Sequence, residues 1–227
     1  MTVGAAAVLP KSGFLADASQ ELRDLLSRVA TEVVLSDDAV LFEQGDDGDA
    51  LYVVVAGGIE LSVVSREGRK LSLDVVGPGA MFGEIALFDP TARTASATAV
   101  GETRLLRVRN GDILGELRKA PELAIDLVRL AGQRMRWMGR QLHEQVFLPM
   151  PSRLARKILH LTETEWGAGD TLDMSQSELA DFVGATREAV SKTLSGWKAR
   201  GVIEATRGGL HILDREALQT LADFDYI

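Results

Sequence analysis

The sequence of 227 residues contains no cysteine and only three histidines. Without a thiol, the chain cannot form disulfides, thiolate zinc sites, cysteine-held iron–sulfur clusters or a cysteine nucleophile. The histidines, His143, His160 and His211, are scattered along the chain, which favours structural or surface roles over metal or catalytic ones. We therefore expect no metal site, no catalytic residue and no enzymatic activity.

Long hydrophobic runs are also missing. No apolar stretch approaches the ~18–20 residues that a membrane span needs. The N-terminus is apolar but carries no basic residue before Lys11, so it makes a poor signal peptide. These features predict a cytoplasmic protein that does not partner a membrane.

Basic side chains are outnumbered, and the formal net charge is −8. An acidic balance disfavours non-specific binding to nucleic acid, although the distribution of charge matters more. Residues 184–207 carry five basic and two acidic side chains, so a local basic patch lies inside an acidic protein. With 46% apolar residues, the composition is that of an ordinary globular chain of one or two domains.

The first half changes from a helical to a strand-like period. Residues 14–30 have helical spacing, with Leu22, Leu25, Leu26 and Val29 on one face. Six β-branched runs follow, separated by turn signals that include Gly57-Gly58 and Gly101, and they predict a β-sandwich or barrel. A cupin-like enzyme would need inward-facing histidines on these strands, and the first histidine comes after them. The runs are Glu32–Leu35, Leu51–Val55, Ile59–Val64, Leu71–Val76, Ser96–Val100 and Arg104–Val108.

A long helix is predicted from Pro121 to about Phe147. Apolar residues recur along it in steps of three and four, as in a coiled-coil seam that ends at the polar Gln145. This seam favours a dimer interface, and the alternative is a helix lying on the domain's own core. Pro149 and Pro151 are expected to end the helix and form a hinge. The seam residues are Val128, Ala131, Met135, Met138 and Leu142.

The last third contains the pattern of a helix-turn-helix. After a helix predicted over 152–167, Ser175 and Glu178 form a capping box that begins a second helix. Gly184 breaks that helix at a tight turn, and Thr186 caps the next one. Two short helices joined by a glycine turn are a helix-turn-helix, and a helical hairpin without a ligand is the alternative.

The second helix of this pair has two different faces. Val190, Leu194 and Trp197 point inward, while polar side chains near the N-terminus point outward, where a recognition helix meets DNA bases. The runs Val202–Thr206 and Leu210–Leu213 flank a turn and predict a hairpin wing. The outward residues are Arg187, Glu188, Ser191 and Lys192.

Three sequence motifs occur one after another and are followed by the long helix and the helix-turn-helix. The motifs are Gly45-Asp-x-x-Asp-x-Leu-Tyr-Val-Val, Phe82-Gly-Glu-Ile-Ala-Leu87 and Arg93-Thr94-Ala95. From Phe14 to Asp214 the chain resembles the cAMP receptor protein/FNR family of bacterial transcription regulators, in its cyclic-nucleotide-binding branch. The resemblance implies an α+β fold in three parts. These are a cyclic-nucleotide-binding β-roll (jelly roll) with an N-terminal helix over 1–120, a dimerisation helix over 121–148 and a winged helix-turn-helix DNA-binding domain over 149–227.

The middle motifs match the family's cyclic-nucleotide cassette. Gly83 lets backbone N–H groups approach an anion, and Ile85 and Ala86 can begin a short helix. By resemblance, Arg93 and the Thr94 hydroxyl bind the cyclic phosphate and Glu84 accepts a hydrogen bond from the ribose 2′-hydroxyl. The expected effector is therefore a cyclic nucleotide, with cAMP as the first candidate.

One pair of residues departs from the family pattern. In cAMP-responsive members, a hydroxyl residue and a second polar residue of the dimer helix contact the adenine amino group. Met138 and Gly139 stand at these positions, and neither side chain forms a useful hydrogen bond. The base can therefore bind weakly, bind in another orientation, or belong to another nucleotide such as cGMP.

The resemblance implies a homodimer in which the ligand reorients two recognition helices on a near-palindromic site in double-stranded DNA. Arg187 resembles the family's guanine reader, Glu188 can accept from cytosine N4, and Lys192 stands where many members have arginine. RNA polymerase at target promoters is an expected partner. Alternatives are a nucleotide-binding module that acts on protein and a DNA binder without a ligand. The residues expected to meet DNA are Ser175, Thr186, Arg187, Glu188, Ser191, Lys192 and Lys198.

Overall fold

The computed structural model describes residues 18–89, 91–163 and 167–223. They form two compact units. The first contains the chain up to Val64 together with Leu73–Trp137, and the second contains Ser65–Ser72 together with the chain from Met138 onward.

The first unit begins with helix α1 (Gln20–Val29). The Ser19 hydroxyl caps it by accepting a hydrogen bond of 3.2 Å from the Leu22 N–H. Leu22, Leu25 and Leu26 are buried, which confirms the apolar face predicted from their spacing. The predicted helix began at residue 14, and residues 14–17 lie outside the described residues.

A six-stranded sheet makes up most of the first unit. Its main path has the order β1-β6-β3-β4, with β2 paired to β6 and β5 paired to β3. Strand β6 pairs antiparallel with β1, β2 and β3. The predicted β-rich N-terminal domain is confirmed. The strands are β1 (Thr31–Leu35), β2 (Val40–Phe42), β3 (Ala50–Val64), β4 (Lys70–Val76), β5 (Met81–Phe82) and β6 (Ser96–Arg109).

Two predicted turns are wrong, because β3 and β6 run without interruption past Gly57-Gly58 and Gly101. The pairing of β3 with β6 shifts register between Val54 and Gly58 instead of ending. The buried Thr103 hydroxyl accepts from the Gly58 N–H at 3.0 Å and donates to the Gly58 carbonyl at 2.8 Å. The glycines therefore mark an irregularity within a long strand pair, and they do not end it.

Successive side chains of β3 point to opposite faces of the sheet, and they divide the core of the first unit into two clusters. Leu51 and Val53 face one cluster, which also contains the buried face of α1. Tyr52 and Val54 face the other, which contains Phe82. Two short helices, α2 (Ile85–Phe88) and α3 (Asn110–Leu117), follow β5 and β6.

Helix α4 (Leu123–Phe147) begins two residues after Pro121. Its first turns pack against the core of the first unit through Leu123, Leu127 and Leu130. Helix α5 (Met150–Glu163) begins two residues before the predicted start, and Gly167 at the predicted end lies in a strand, while residues 164–166 of the predicted helix lie outside the described residues. Pro149 separates the two helices as expected. Pro151 instead lies in the first turn of α5, where its missing N–H costs little.

The second unit contains three further helices and a small sheet. The sheet has the order β7-β8-β10-β9, and β9 and β10 are antiparallel, which confirms the predicted hairpin wing. Strands β7 and β8 were not predicted. The remaining elements are α6 (Gln176–Val183), α7 (Arg187–Ala199), α8 (Arg215–Ala222), β7 (Gly167–Ala168), β8 (Thr171–Leu172), β9 (Ile203–Ala205) and β10 (Leu210–Ile212).

No helix in the described ranges has both the length and the apolar character required to cross a membrane. The same ranges hold no cluster of three or more histidine, aspartate or glutamate side chains suited to a metal ion.

Candidate functional site

A sharp bend joins β5 to α2, and Gly83 lies at its centre. Its φ is +75°, in the region that side chains other than hydrogen disfavour. A Cβ at this position would also lie 2.8 Å from Arg93 Nη1 and 3.3 Å from the Ala50 carbonyl oxygen. The bend therefore requires glycine for its conformation and for the close approach of Arg93.

Arg93 is buried beside this bend, with an exposed fraction of 6%. Its backbone is tied to the loop before β3: the Arg93 N–H donates to the Asp46 carbonyl at 2.7 Å, and its carbonyl accepts from Gly45 at 2.9 Å. Nη1 donates to the Gly83 carbonyl at 3.2 Å, and the buried Nε has no hydrogen-bond partner in the part of the chain that the structure describes. Within the described residues, no carboxylate pairs with this cation. A buried positive charge of this kind favours an incoming anion.

Glu84 is also buried, with an exposed fraction of 5%. Its Oε1 lies 3.3 Å from Nε of Arg134, a residue of α4. The Arg134 guanidinium also lies over the Trp137 ring, 4.3 Å from its centre. Two buried charged side chains therefore lie beside Gly83: Glu84 is paired with Arg134 of α4, and the Arg93 guanidinium donates to the Gly83 carbonyl.

The residues after Glu84 form α2, as predicted from the motif. The helix has only four residues, and its first N–H groups have no carbonyl of their own helix to bond. Ala86 is buried, and its carbonyl accepts from the Asn110 side chain at 2.8 Å, while Ile85 is exposed. Thr94 is exposed next to Arg93.

The structure gathers most of the predicted cassette within the first unit. Gly83, Glu84, Ala86 and Arg93 lie together there, through the contacts described above. Met138 and Gly139 belong to the second unit and are exposed on α4.

The predicted pair of short helices is present in the second unit. The Ser175 hydroxyl accepts from the Glu178 N–H at 3.2 Å, and Glu178 Oε2 accepts from the Ser175 N–H at 2.7 Å. These two bonds are the predicted capping box. Gly184 ends α6 with φ +61°, and the Thr186 hydroxyl caps α7 by accepting from Ala189 at 3.3 Å.

Helix α7 is amphipathic in the predicted sense. Val190, Leu194 and Trp197 are buried, and Trp197 is 2% exposed. The opposite face carries the polar residues: Arg187, Glu188, Lys192 and Lys198 are exposed, and Ser191 is half-buried.

The acidic residue on this face is ionised at neutral pH. Its own backbone N–H, the Thr186 hydroxyl and the charge of Arg187 hold the pKa of Glu188 below its usual value. The Glu188 carboxylate is therefore a hydrogen-bond acceptor under ordinary conditions.

Arg153 of α5 fixes the turn between the two helices. Its Nη2 donates to the Val183 carbonyl at the end of α6 at 3.0 Å, and its Nη1 donates to the Leu148 carbonyl at 2.9 Å. Burial lowers the pKa of Arg153. Arg153 was not predicted as a functional residue, because nothing in the local sequence distinguishes an arginine that bonds to distant carbonyls.

The predicted seam on α4 is largely exposed. Val128, Met135 and Leu142 have exposed fractions of 67%, 70% and 66%, and Met138 is also exposed. Ala131 is half-buried. The apolar side of α4 that packs against its own core is a different one, formed by Leu123, Leu127 and Leu130.

Comparison with known proteins gives matches over both units. Residues 32–120 match the family of cyclic nucleotide-binding domains, and residues 152–221 match the family of Crp-like helix-turn-helix domains. The CRP-like cAMP-activated global transcriptional regulator of Mycobacterium tuberculosis is 33% identical over 183 residues, which is 78% of this chain and 82% of that protein. This chain belongs to the CRP/FNR family of transcription regulators.

Two further CRP/FNR relatives come from Thermus thermophilus. Its cyclic AMP receptor protein is 34% identical over 182 residues, 80% of this chain and 83% of that protein. The crystal structure of another transcriptional regulator of the CRP/FNR family from this organism covers 86% of this chain and 99% of its own, with 30% identity and a TM-score of 0.74.

Membership of the CRP/FNR family decides which of the folds and functional classes considered from the sequence applies to this chain. The chain is a DNA-binding transcription regulator with a cyclic nucleotide-binding domain and a helix-turn-helix. The family consists of transcription regulators and not of enzymes, so the cupin-like alternative is excluded. A nucleotide-binding module that acts only on protein is excluded as well.

Some side chains around the cassette of this CRP/FNR regulator were not predicted from the sequence. Arg134, which pairs with Glu84, is one of them. Its position one helical turn before Met138 was the available signal. Phe42 and Tyr52, whose rings lie beside Arg93, were not predicted as site residues, because Phe42 resembles an ordinary strand residue and Tyr52 entered only as part of the motif that begins at Gly45.

Proposed function

We propose that the protein is a homodimeric regulator whose binding to DNA is controlled by a cyclic nucleotide, with cAMP as the first candidate. The ligand occupies the β-roll and biases the dimer toward one of two arrangements of its recognition helices. Such control requires that the ligand bind the two states with different affinities. The proposed division is a β-roll over 1–120, a dimerisation helix over 121–148 and a winged helix-turn-helix over 149–227.

The observation that carries this proposal is the burial of Arg93 beside Gly83 without a carboxylate partner among the described residues. A cyclic phosphate supplies the missing negative charge, and an arginine can bind it through two parallel N–H groups. The Thr94 hydroxyl and the N–H groups of Ile85 and Ala86 are proposed as further donors to the same phosphate.

Glu84 is proposed to bind the ribose of the same ligand. A carboxylate accepts more than one hydrogen bond, so the 2′-hydroxyl can donate to Glu84 beside or in place of Arg134. Two relatives above 30% identity are named for cAMP, which supports cAMP as the first candidate.

A second candidate is a different cyclic nucleotide, such as cGMP. Met138 and Gly139 offer no side-chain hydrogen bond to the adenine amino group. The phosphate and the ribose are common to both nucleotides, so the cassette around Arg93 fits either. Titration with both nucleotides separates the two candidates.

The proposed dimer forms through the exposed apolar seam of α4. Val128, Ala131, Met135, Met138 and Leu142 recur at heptad spacing, and a second copy of the same helix presents a matching stripe. Burying this stripe removes apolar side chains from water, which is the main driving force of such association.

The proposed DNA contacts come from α7 and its surroundings. Arg187 is suited to guanine O6 and N7, Glu188 to cytosine N4, and Ser191 and Lys192 to neighbouring bases or phosphates. Ser175, Thr186 and Lys198 are proposed to meet the DNA backbone. The proposed DNA partner is a near-palindromic duplex. RNA polymerase is the expected protein partner at target promoters, and we expect the protein to act in the cytoplasm.

Calorimetric titration of the full chain with cAMP and with cGMP tests the ligand. A charged hydrogen-bonded contact contributes ~1.5–3 kcal/mol, so Arg93→Ala is expected to weaken binding about tenfold or more. Arg69→Ala is the matched control, because Arg69 is exposed and pairs with Glu67 of its own hairpin. If wild type and Arg93→Ala bind the nucleotide with equal affinity, Arg93 does not bind the phosphate.

A DNA-binding experiment tests whether the ligand controls the affinity of the protein for DNA. Fluorescence anisotropy with a labelled duplex is expected to give tighter binding in the presence of the nucleotide that calorimetry identifies. A DNA affinity that does not change with nucleotide would identify a constitutive binder.

A further inference from the structure

The positive charge of Arg93 lies over aromatic rings. Its guanidinium carbon is 4.2 Å from the centre of the Phe42 ring and 5.6 Å from the centre of the Tyr52 ring. Both distances fall within the range in which the negative face of a ring attracts a cation.

The rings belong to a packed group of three. Tyr52 and Phe82 stack with their centres 5.4 Å apart, and Phe42 lies 5.8 Å from Tyr52 and 6.2 Å from Phe82. Phe82 is fully buried in the core cluster that β3 faces. Phe42 ends β2 and is paired with Ala97 of β6. The sheet therefore fixes the rings independently of Arg93.

Few other contacts hold the guanidinium in place. Its one hydrogen bond in the structure goes from Nη1 to the Gly83 carbonyl, and its buried Nε has no partner within the described residues. The guanidinium carbon lies over the Phe42 ring, and Arg93 as a whole is 6% exposed. The N–H groups of a guanidinium lie in its plane, so a ligand that binds them approaches along the edge of that plane.

We propose that Phe42 is a positioning residue for the phosphate site, which holds the guanidinium of Arg93 in the orientation that receives an anionic ligand edge-on. This inference rests on the proposed function, in which Arg93 binds a cyclic phosphate. The ring also keeps water away from the cation, and an ion pair is stronger where the local dielectric constant is lower. Phe42 itself need not touch the ligand.

The test compares two substitutions of Phe42 in the full chain by calorimetry with the cyclic nucleotide that wild type binds. Phe42→Leu keeps an apolar side chain but removes the aromatic face, and Phe42→Tyr keeps the face. Cation–π contacts correspond to roughly a two- to thirtyfold change in affinity, so Phe42→Leu is expected to weaken binding within that range. Phe42→Tyr is expected to bind within about twofold of wild type.

A spectroscopic measurement separates positioning from general damage to the fold. A ring above the guanidinium shifts the Nε–H proton of Arg93 upfield in the NMR spectrum. The upfield shift is expected in ligand-free wild type and in Phe42→Tyr, and is expected to decrease in Phe42→Leu, where only the more distant Tyr52 ring remains, while the amide spectrum of the sheet stays dispersed. Assignment uses the resonance that disappears in Arg93→Ala.

Each outcome of the experiment decides one claim. If wild type binds and Phe42→Leu binds equally well, the positioning role is wrong and the proposed function stands. If Leu and Tyr variants weaken binding equally, the aromatic face is irrelevant and the positioning role is again wrong. If wild type binds no cyclic nucleotide, the proposed function fails and the positioning role fails with it.

Discussion

At Gly83, both the backbone conformation and the close packing of neighbouring atoms disfavour any side chain. Its φ of +75° costs a side-chain-bearing residue ~1–2 kcal/mol, and a methyl group there would press on Arg93. We expect Gly83→Ala to lower the free energy of unfolding by about this amount and to weaken cyclic-nucleotide binding through Arg93. Urea denaturation and calorimetry measure the two effects.

Gly77 provides the control for this prediction. Gly77 lies between strands β4 and β5, shortly before the bend at Gly83. Its φ is not positive, and a Cβ there would have no atom within 4 Å. Gly77→Ala is therefore expected to leave stability unchanged or raise it by ~0.4–1 kcal/mol. If Gly83→Ala were as stable as Gly77→Ala, the strain at the bend would be refuted.

At the scale of the element, the capping box at the start of α6 gives the next prediction. Ser175→Ala removes the acceptor of the Glu178 N–H and is expected to cost ~0.5–2 kcal/mol in unfolding free energy. Ser177→Ala is the matched control, since Ser177 is exposed in the first turn of the same helix and does not cap it. Equal stability of the two variants would mean that the cap contributes nothing measurable.

The exposed seam of α4 gives a prediction about assembly. A carboxylate buried in the proposed coiled coil would lose its hydration without a partner, which costs several kcal/mol. Met135→Asp is expected to sediment as a monomer at micromolar concentrations at which wild type sediments as a dimer. Arg140→Asp introduces the same side chain at an exposed position off the seam and is expected to remain dimeric. A monomeric wild type would refute the interface.

Sequence patterns predicted those elements whose signals are local. The cap at Ser175, the positive φ of Gly184 and the inward face of α7 depend on neighbours within one or two turns, and all three are confirmed. The prediction failed at Gly57-Gly58 and Gly101, because a glycine that interrupts a strand and one that ends it look alike without the paired strand.

The candidate site divides in the same way. Gly83 and Arg93 belong to short motifs whose spacing is visible in the sequence, and the structure brings them together. The pairing of Glu84 with Arg134 and the stacking of Phe42 on Arg93 join residues that lie about fifty positions apart. Such contacts depend on tertiary packing, which periodicity does not reveal.

At the scale of the whole molecule, two-fold symmetry predicts the form of the DNA site. A dimer with one recognition helix per subunit should bind a near-palindrome whose half-sites are about one helical turn (~34 Å) apart. By resemblance to the family, the half-site is expected to be similar to TGTGA. Arg187→Ala should cost ~1–3 kcal/mol per half-site and relax the preference at one base pair. Selection from random DNA with wild type and variant measures both.

Lys198→Ala is the control for this prediction, because Lys198 is exposed near the far end of α7 and is proposed to meet a phosphate. It should weaken all sequences alike and reduce the slope of log K against log salt by about one unit. If Arg187→Ala and wild type select the same motif with the same strength, α7 is not the recognition helix.

The stacking of Arg134 on Trp137 gives the protein an intrinsic optical signal. The guanidinium lies 4.3 Å from the indole centre while the same side chain pairs with Glu84, so any molecule that engages Glu84 alters the charge above the indole. Trp166 and Trp197 also emit, so the comparison with Trp137→Phe is what assigns a response to Trp137. Indole emission should therefore change during a nucleotide titration and lose that response in Trp137→Phe. Occupancy of the roll could then be followed in solution without attaching a dye.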